Sequence, residues 1–182
     1  GIRWRQHFLG CDMPHYRIID GALQLATRTG ATGTGAQQMR VAMVAARFNA
    51  DIVDQMVAGA EAAWLRHGGN PEQLVLVRAP GAFELPLLAR RLAASGRFDA
   101  IIALGCVIRG DTAHFDFVAG EAARGIADAA RDTGVPVIFG VLTTENASQA
   151  QERADPGRMD KGGEAMEAAL EMAQLLRQIG AS

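Results

Sequence analysis

Residues 100–116 read AIIALGCVIRGDTAHFD, and the order of residue types along them decides the fold. Ala100–Leu104 is wholly apolar, the signature of a strand covered on both faces. Gly105–Asp116 then turns polar, and Val118–Arg131 has the small-and-apolar spacing of a helix. A buried strand that leads through a polar turn into a helix is half of a βαβ unit. In open α/β folds, ligands bind at the carboxyl ends of such strands. Arg109, Gly110, Asp111, Thr112 and His114 all fall in this turn, an anion-binding pattern with a titratable imidazole beside it.

The same alternation extends in both directions. Val41–Ala46 is a short apolar run ending in Arg47-Phe48-Asn49. The spacing then predicts a helix with Asp51 as N-cap and Ile52, Val53, Met56, Val57, Ala60 and Trp64 on one face. Gly68-Gly69-Asn70-Pro71 stops it. Leu74–Val77 reads as the second strand, closed by Arg78-Ala79-Pro80-Gly81-Ala82-Phe83-Glu84, and a helix carrying Leu85, Leu88 and Leu92 ends at Gly96. Pro136–Leu142 is the fourth strand, followed by Thr143-Thr144-Glu145-Asn146 and a short helix Ala147–Ala154. Asp155-Pro156-Gly157 breaks that helix, and Gly162–Ile179 forms the last one. Strands alternating with helices imply an α/β fold, a three-layer αβα sandwich on a four-stranded parallel sheet, flavodoxin-like in class.

Residues 1–38 differ from all that follows. Their polarity is irregular and they end in a Gly/Thr-rich stretch, so they read as an N-terminal extension and linker, with room for a short strand within Tyr16–Leu25. His7 and His15 lack metal-ligand spacing. The domain proper is expected at 39–182. Charge is balanced at 18 basic and 20 acidic residues, which removes the electrostatic footprint of a nucleic-acid or anionic-membrane binder. No apolar run approaches the roughly 20 residues of a membrane helix, and no signal-peptide core is visible, so the expected compartment is the cytoplasm. Cys11 and Cys106 are too few for a disulfide framework or zinc site, and Cys106 reads as a small core thiol.

In a doubly wound sheet the turns after successive strands converge on one edge. Here they carry an aromatic (Phe48), a carboxylate (Glu84), a small anion cradle and a histidine (His114). Such a set suits a flat polar heterocycle with a hydroxylated arm and a phosphate. Taken singly, Phe48 reads as core, Glu84 as a carboxylate favoured by a helix N-terminus, and His114 as a capping histidine. Two nucleotide-binding readings fail. Gly105-x-x-x-x-Gly110 resembles a P-loop, but Asp111 stands where the phosphate-binding lysine belongs, and no G-x-G-x-x-G follows the first strand.

With these residues in place, the chain from about Arg40 to Ile179 resembles the lumazine synthases. The carriers are Arg47-Phe48-Asn49, Ala79-Pro80-Gly81-Ala82-Phe83-Glu84-Leu85-Pro86, Gly105–Asp116, Gly134–Asn146, and Glu152-Arg153-Ala154 with Lys161-Gly162. The resemblance implies a transferase of riboflavin biosynthesis. It would condense 5-amino-6-(D-ribitylamino)uracil with 3,4-dihydroxy-2-butanone 4-phosphate to 6,7-dimethyl-8-ribityllumazine, releasing phosphate and water, with no cofactor and no metal. By position, the resemblance puts Phe48 on the pyrimidine ring and Ala82, Phe83 and Glu84 along the ribityl arm. It puts the backbone of Cys106, Val107 and Ile108 at the ring edge, and Asp111 and Thr112 at the phosphate. His114 would be the proton shuttle. Arg153 would be the phosphate-binding cation, reaching in from a neighbouring subunit with Phe139.

That arrangement implies a homo-oligomer with sites between subunits, built from a pentamer. Two departures bear on larger particles, decamer or 60-mer. Asp155-Pro156-Gly157-Arg158-Met159-Asp160 lacks the Gly-Thr-Lys-Ala-Gly-Asn type of sequence of members that close into sixty-subunit shells, which counts against a shell. The N-terminal extension is longer than the family needs and would interfere with packing of pentamers into larger particles. Three rivals share the scaffold: an archaeal-type riboflavin synthase, a non-catalytic flavin or lumazine binder, and a cage-forming structural protein.

Overall fold

The computed structural model describes residues 17–19 and 36–180. Strands β2 (Val41–Ala46), β3 (Leu74–Ala79), β4 (Ala100–Ile108) and β5 (Val137–Thr144) are the four expected, all parallel. A fifth, β1 (Arg17–Ile19), pairs with β3 and makes the sheet five-stranded, in the order β1-β3-β2-β4-β5. It lies inside the segment where the sequence left room for a short strand. Cys11, His7 and His15 lie outside the described residues.

Helices α1 (Ala50–Arg66), α4 (Ala147–Ala154) and α5 (Lys161–Gly180) cover one face of the sheet, and α2 (Leu85–Ala94) and α3 (His114–Thr133) cover the other. Alternate residues of β2 divide between the two faces. Val41, Met43 and Ala45 pack toward α1 and α5, while Ala42, Val44 and Ala46 pack toward α2 and α3. All six are buried, which is what a wholly apolar run at the centre of a parallel sheet dictates. A buried Val, Leu or Met is worth roughly 1.5–3 kcal/mol, against about 0–1 kcal/mol for an exposed ion pair. The sheet faces therefore hold the scaffold.

The α1–α5 contact depends on one small residue. A Cβ on Gly162 would stand 1.9 Å from the Met56 carbonyl oxygen of α1, so only glycine allows this approach.

Strands β3 and β5 run two residues further than expected and α3 begins at His114 rather than Val118; two further differences bear on the site. The third predicted strand was expected to end at Leu104, but β4 runs to Ile108 because Gly105, Cys106, Val107 and Ile108 pair with Val141, Leu142, Thr143 and Thr144 of β5. Asp51 is not the N-cap of α1. Asn49 takes that position in the left-handed region (φ 56°), with Asp51 in the first helical turn. Asparagine enters that region more readily than most residues, and a tertiary bond described below holds it there.

Candidate active site

All four strand-to-helix turns lie at the carboxyl ends of parallel strands, on one edge of the sheet. The β2–α1 turn continues the sheet beyond its last residue pair: Arg47 N–H donates to the Ala79 carbonyl (2.8 Å) and Phe48 N–H to the Pro80 carbonyl (3.2 Å). On the other side, Asn49 Nδ2 donates to the Cys106 carbonyl at 2.9 Å. Backbone bonds on one side and an amide on the other thus hold Phe48 in place, and its side chain is 70% exposed. The core reading of Phe48 fails; the ring stands in solvent at the mouth of the edge. Asn49 was not singled out from the sequence as a site residue, and the only signal for it was the asparagine itself in a turn.

After β3, Gly81 is extended and Ala82–Glu84 forms a single 3-10 turn leading into α2, whose first turn contains Pro86. Ala82 is buried, and Phe83 and Glu84 face outward. Among the described residues the Glu84 carboxylate accepts no hydrogen bond, which leaves it open to hydroxyl donors.

The β4–α3 connection is Arg109–Ala113. The Arg109 N–H donates to the Thr144 carbonyl (2.8 Å) and so closes the β4–β5 ladder. Asp111 and Thr112 are exposed, and Thr112 Oγ1 accepts from the His114 N–H at 3.3 Å. His114 is the first residue of α3, with its imidazole exposed and free of side-chain partners among the described residues. The positive end of a 20-residue helix opens here, favourable for an anion.

Cys106 is buried in β4, and burial, with a smaller contribution from the Asp51 carboxylate, pushes its thiol up to about 11. A neutral thiol is a poor nucleophile, so the core reading of Cys106 holds. What Cys106 can offer is backbone, and its carbonyl is already engaged by Asn49. Val107 and Ile108 complete the strand end and are half-buried.

The β5–α4 turn is locked by a close relative of the capping box. Asn146 Oδ1 accepts from Gln149 N–H (2.9 Å), while Gln149 Oε1 accepts from Glu145 N–H (3.0 Å). Helix α4 then runs back from the edge. Near its far end Arg153 donates to the Gln149 carbonyl at 3.1 Å and is half-buried.

One chain does not gather all the expected site residues. Phe48, Phe83, Glu84, Asp111, Thr112 and His114 share the edge. Arg153 belongs to α4, which packs with α1 and α5, whereas His114 opens α3 on the opposite face of the sheet. Phe139 sits mid-strand in β5 opposite Ala103, roughly 16 Å from Thr144 at about 3.3 Å per residue. It is 46% exposed on the edge strand. Among the described residues no group of three or more His, Cys, Asp or Glu is placed to hold a metal ion, and no helix is long and apolar enough to cross a membrane.

Residues 38–177 match the family model described as 6,7-dimethyl-8-ribityllumazine synthase. Proteins of that name share extensive identity with the chain. The one from Deinococcus radiodurans is 53% identical over 79% of this chain and 93% of its own length. That from Nitratidesulfovibrio vulgaris is 47% identical over 92% of this chain and its whole length, and that from Chlorobium chlorochromatii 51% over 91% and 99%. With the parallel αβα sandwich and the edge geometry described above, the chain belongs to the 6,7-dimethyl-8-ribityllumazine synthase family.

Proposed function

We propose that the protein condenses 5-amino-6-(D-ribitylamino)uracil with 3,4-dihydroxy-2-butanone 4-phosphate to 6,7-dimethyl-8-ribityllumazine, releasing phosphate and water in riboflavin biosynthesis. The observation that carries this reading is the convergence of Phe48, Glu84, Asp111-Thr112 and His114 on one sheet edge, inside family-matching motifs. Phe48 stacks on the pyrimidine. Ala82, Phe83 and Glu84 line the ribityl arm, with Glu84 accepting from its hydroxyls. The strand-end backbone of Cys106, Val107 and Ile108 borders the ring.

Attack of the 5-amino group on the ketone passes through carbinolamine and imine stages, and each moves protons. His114 is the shuttle, since imidazole ordinarily titrates near neutrality. Loss of phosphate needs its developing charge stabilised. The Asp111 carboxylate opposes this, so the contribution of Asp111-Thr112 is backbone N–H, and the cation is the Arg153 guanidinium, which suits bidentate binding of phosphate oxygens. Holding the two reactants in register supplies much of the remaining acceleration.

The separation of Arg153 and Phe139 from His114 within one chain supports a site shared between subunits. Each site takes its edge turns from one protomer and Arg153 and Phe139 from a neighbour, in a homopentamer working in the cytoplasm. The test is to mix both substrates with purified protein, follow the absorbance of the lumazine, and measure particle mass. Product formation by particles of five chains, or multiples of five, supports the reading. Binding of both substrates without product would make the protein a binder, and riboflavin formed from lumazine alone would make it a riboflavin synthase.

A further inference from the structure

Arg109 looks from the sequence like part of the anion-binding turn, but its guanidinium is already committed. Nε donates to Glu145 Oε2 at 2.9 Å, one terminal nitrogen donates to Asp116 Oδ1 at 3.4 Å, and the guanidinium carbon lies 4.2 Å from the centre of the Phe115 ring. One positive charge facing two carboxylates has little left to offer a phosphate. Its partners are placed to serve another purpose. Phe115 and Asp116 directly follow His114 in the first turn of α3, and Glu145 directly precedes Asn146, the cap of α4. The Arg109 N–H meanwhile bonds the Thr144 carbonyl.

We infer that Arg109 is a positioning residue: by gripping Phe115 and Asp116 on one side and Glu145 on the other, it fixes the first turn of α3, and with it the His114 imidazole, against the end of the β4–β5 ladder. This rests on the proposed role of His114. The planar fork is essential to the arrangement, since it stacks on a ring while serving two carboxylates, and an ammonium group cannot do both. The grip also offsets part of the negative charge of Glu145 and Asp116 beside the place where an anionic substrate must enter.

The test is a double-mutant cycle on the purified full chain, with initial rates of lumazine formation from both substrates. Arg109→Ala is expected to lower kcat about tenfold while the KM of each substrate stays within about twofold, the pattern of a misplaced reacting group. Arg109→Lys should stay within about threefold of the alanine variant. In a His114→Ala background, Arg109→Ala should cost less than about twofold, because the two act through one group. Arg124→Ala, which removes an exposed α3 ion pair to Glu121 away from the turn, is the control and should leave the rate unchanged. Should Arg109→Ala fail to fold, Glu145→Gln removes one arm of the grip and should lower kcat about threefold.

An unchanged kcat, full rescue by lysine, or losses that multiply in the double variant would each overturn the inference. So would a loss confined to the KM of the butanone phosphate, which would make Arg109 a direct anion ligand. If His114→Ala itself kept full activity, the shuttle assignment would fail and the positioning role with it; an impaired His114→Ala beside an unimpaired Arg109→Ala would sink the positioning role alone.

Discussion

The two ends of the sheet use the same kinds of residue to opposite purpose. At the amino end the polar groups are consumed internally. Asp99 accepts from the Arg40 N–H (2.7 Å) and pairs with Arg177 (3.1 Å), and Arg177 also reaches the Gln38 carbonyl (3.4 Å). At the carboxyl end, the Glu84 carboxylate and His114 imidazole have no side-chain partner among the described residues, and Phe48 and Phe83 stand largely in solvent. Exposed aromatic rings add nothing to the folded chain by burial, which accords with the binding role proposed for the carboxyl end. The amino end is shaped by closure of the sheet. Substitutions at the two ends should therefore separate cleanly into losses of activity and losses of stability.

The largest effect is expected at Arg153. Arg153→Ala should lower kcat/KM for the butanone phosphate by about 10²- to 10³-fold, as loss of a charge-stabilising donor does. Equilibrium unfolding should be little changed, and an unaltered apparent affinity for that substrate would remove Arg153 from the site. His114→Ala should lower kcat about 10²-fold yet leave a measurable residual rate, because register of the two substrates survives the loss of the shuttle. Its unfolding midpoint should match that of the parent protein.

At the amino end the pattern reverses. Asp99→Ala strips the Arg40 N–H of its acceptor and Arg177 of its carboxylate partner, and should cost about 1–2 kcal/mol in denaturant unfolding. Turnover should stay within about twofold. A large loss of activity with intact stability would break the comparison between the two ends.

The smallest effect concerns the thiol of Cys106, buried in β4 below the proposed site. Its thiol ionises near 9 when unfolded and near 11 when folded, so the unfolded chain loses its proton first. This contribution to stability is complete below pH 9 and is lost as pH rises toward 11. In a Cys11→Ser background, Cys106→Ala should flatten the decline in stability over that window. Native protein should resist alkylation at pH 8, and rapid alkylation there would show a reactive thiol.

Much of the architecture was legible because local signals agreed. Val41–Ala46 is bracketed by Arg40 and Arg47, and Ala147–Ala154 by Asn146 and Asp155-Pro156, and both elements fall where those signals put them. The extension of β4 was not legible, because Gly105 and the polar residues beyond Ile108 look like a strand ending. Pairing with β5, a tertiary fact, carries the strand on. The site divides the same way. Turn residues such as Phe48, Glu84 and His114 announce themselves by type and position. The Asn49 bond to Cys106 spans 57 residues and the Arg109 bond to Glu145 spans 36, and no local pattern encodes either.

The central claim is that each site joins the edge of one protomer to Arg153 of another. It is tested most directly by mixing two strongly impaired proteins, His114→Ala and Arg153→Ala, under conditions where subunits exchange. If the two residues serve a site from different chains, random assembly leaves about a quarter of the sites with both intact, and roughly that fraction of parental activity should appear. If both act within one chain, every site in the mixture keeps a defect, and activity no higher than that of the two separate variants would contradict the account.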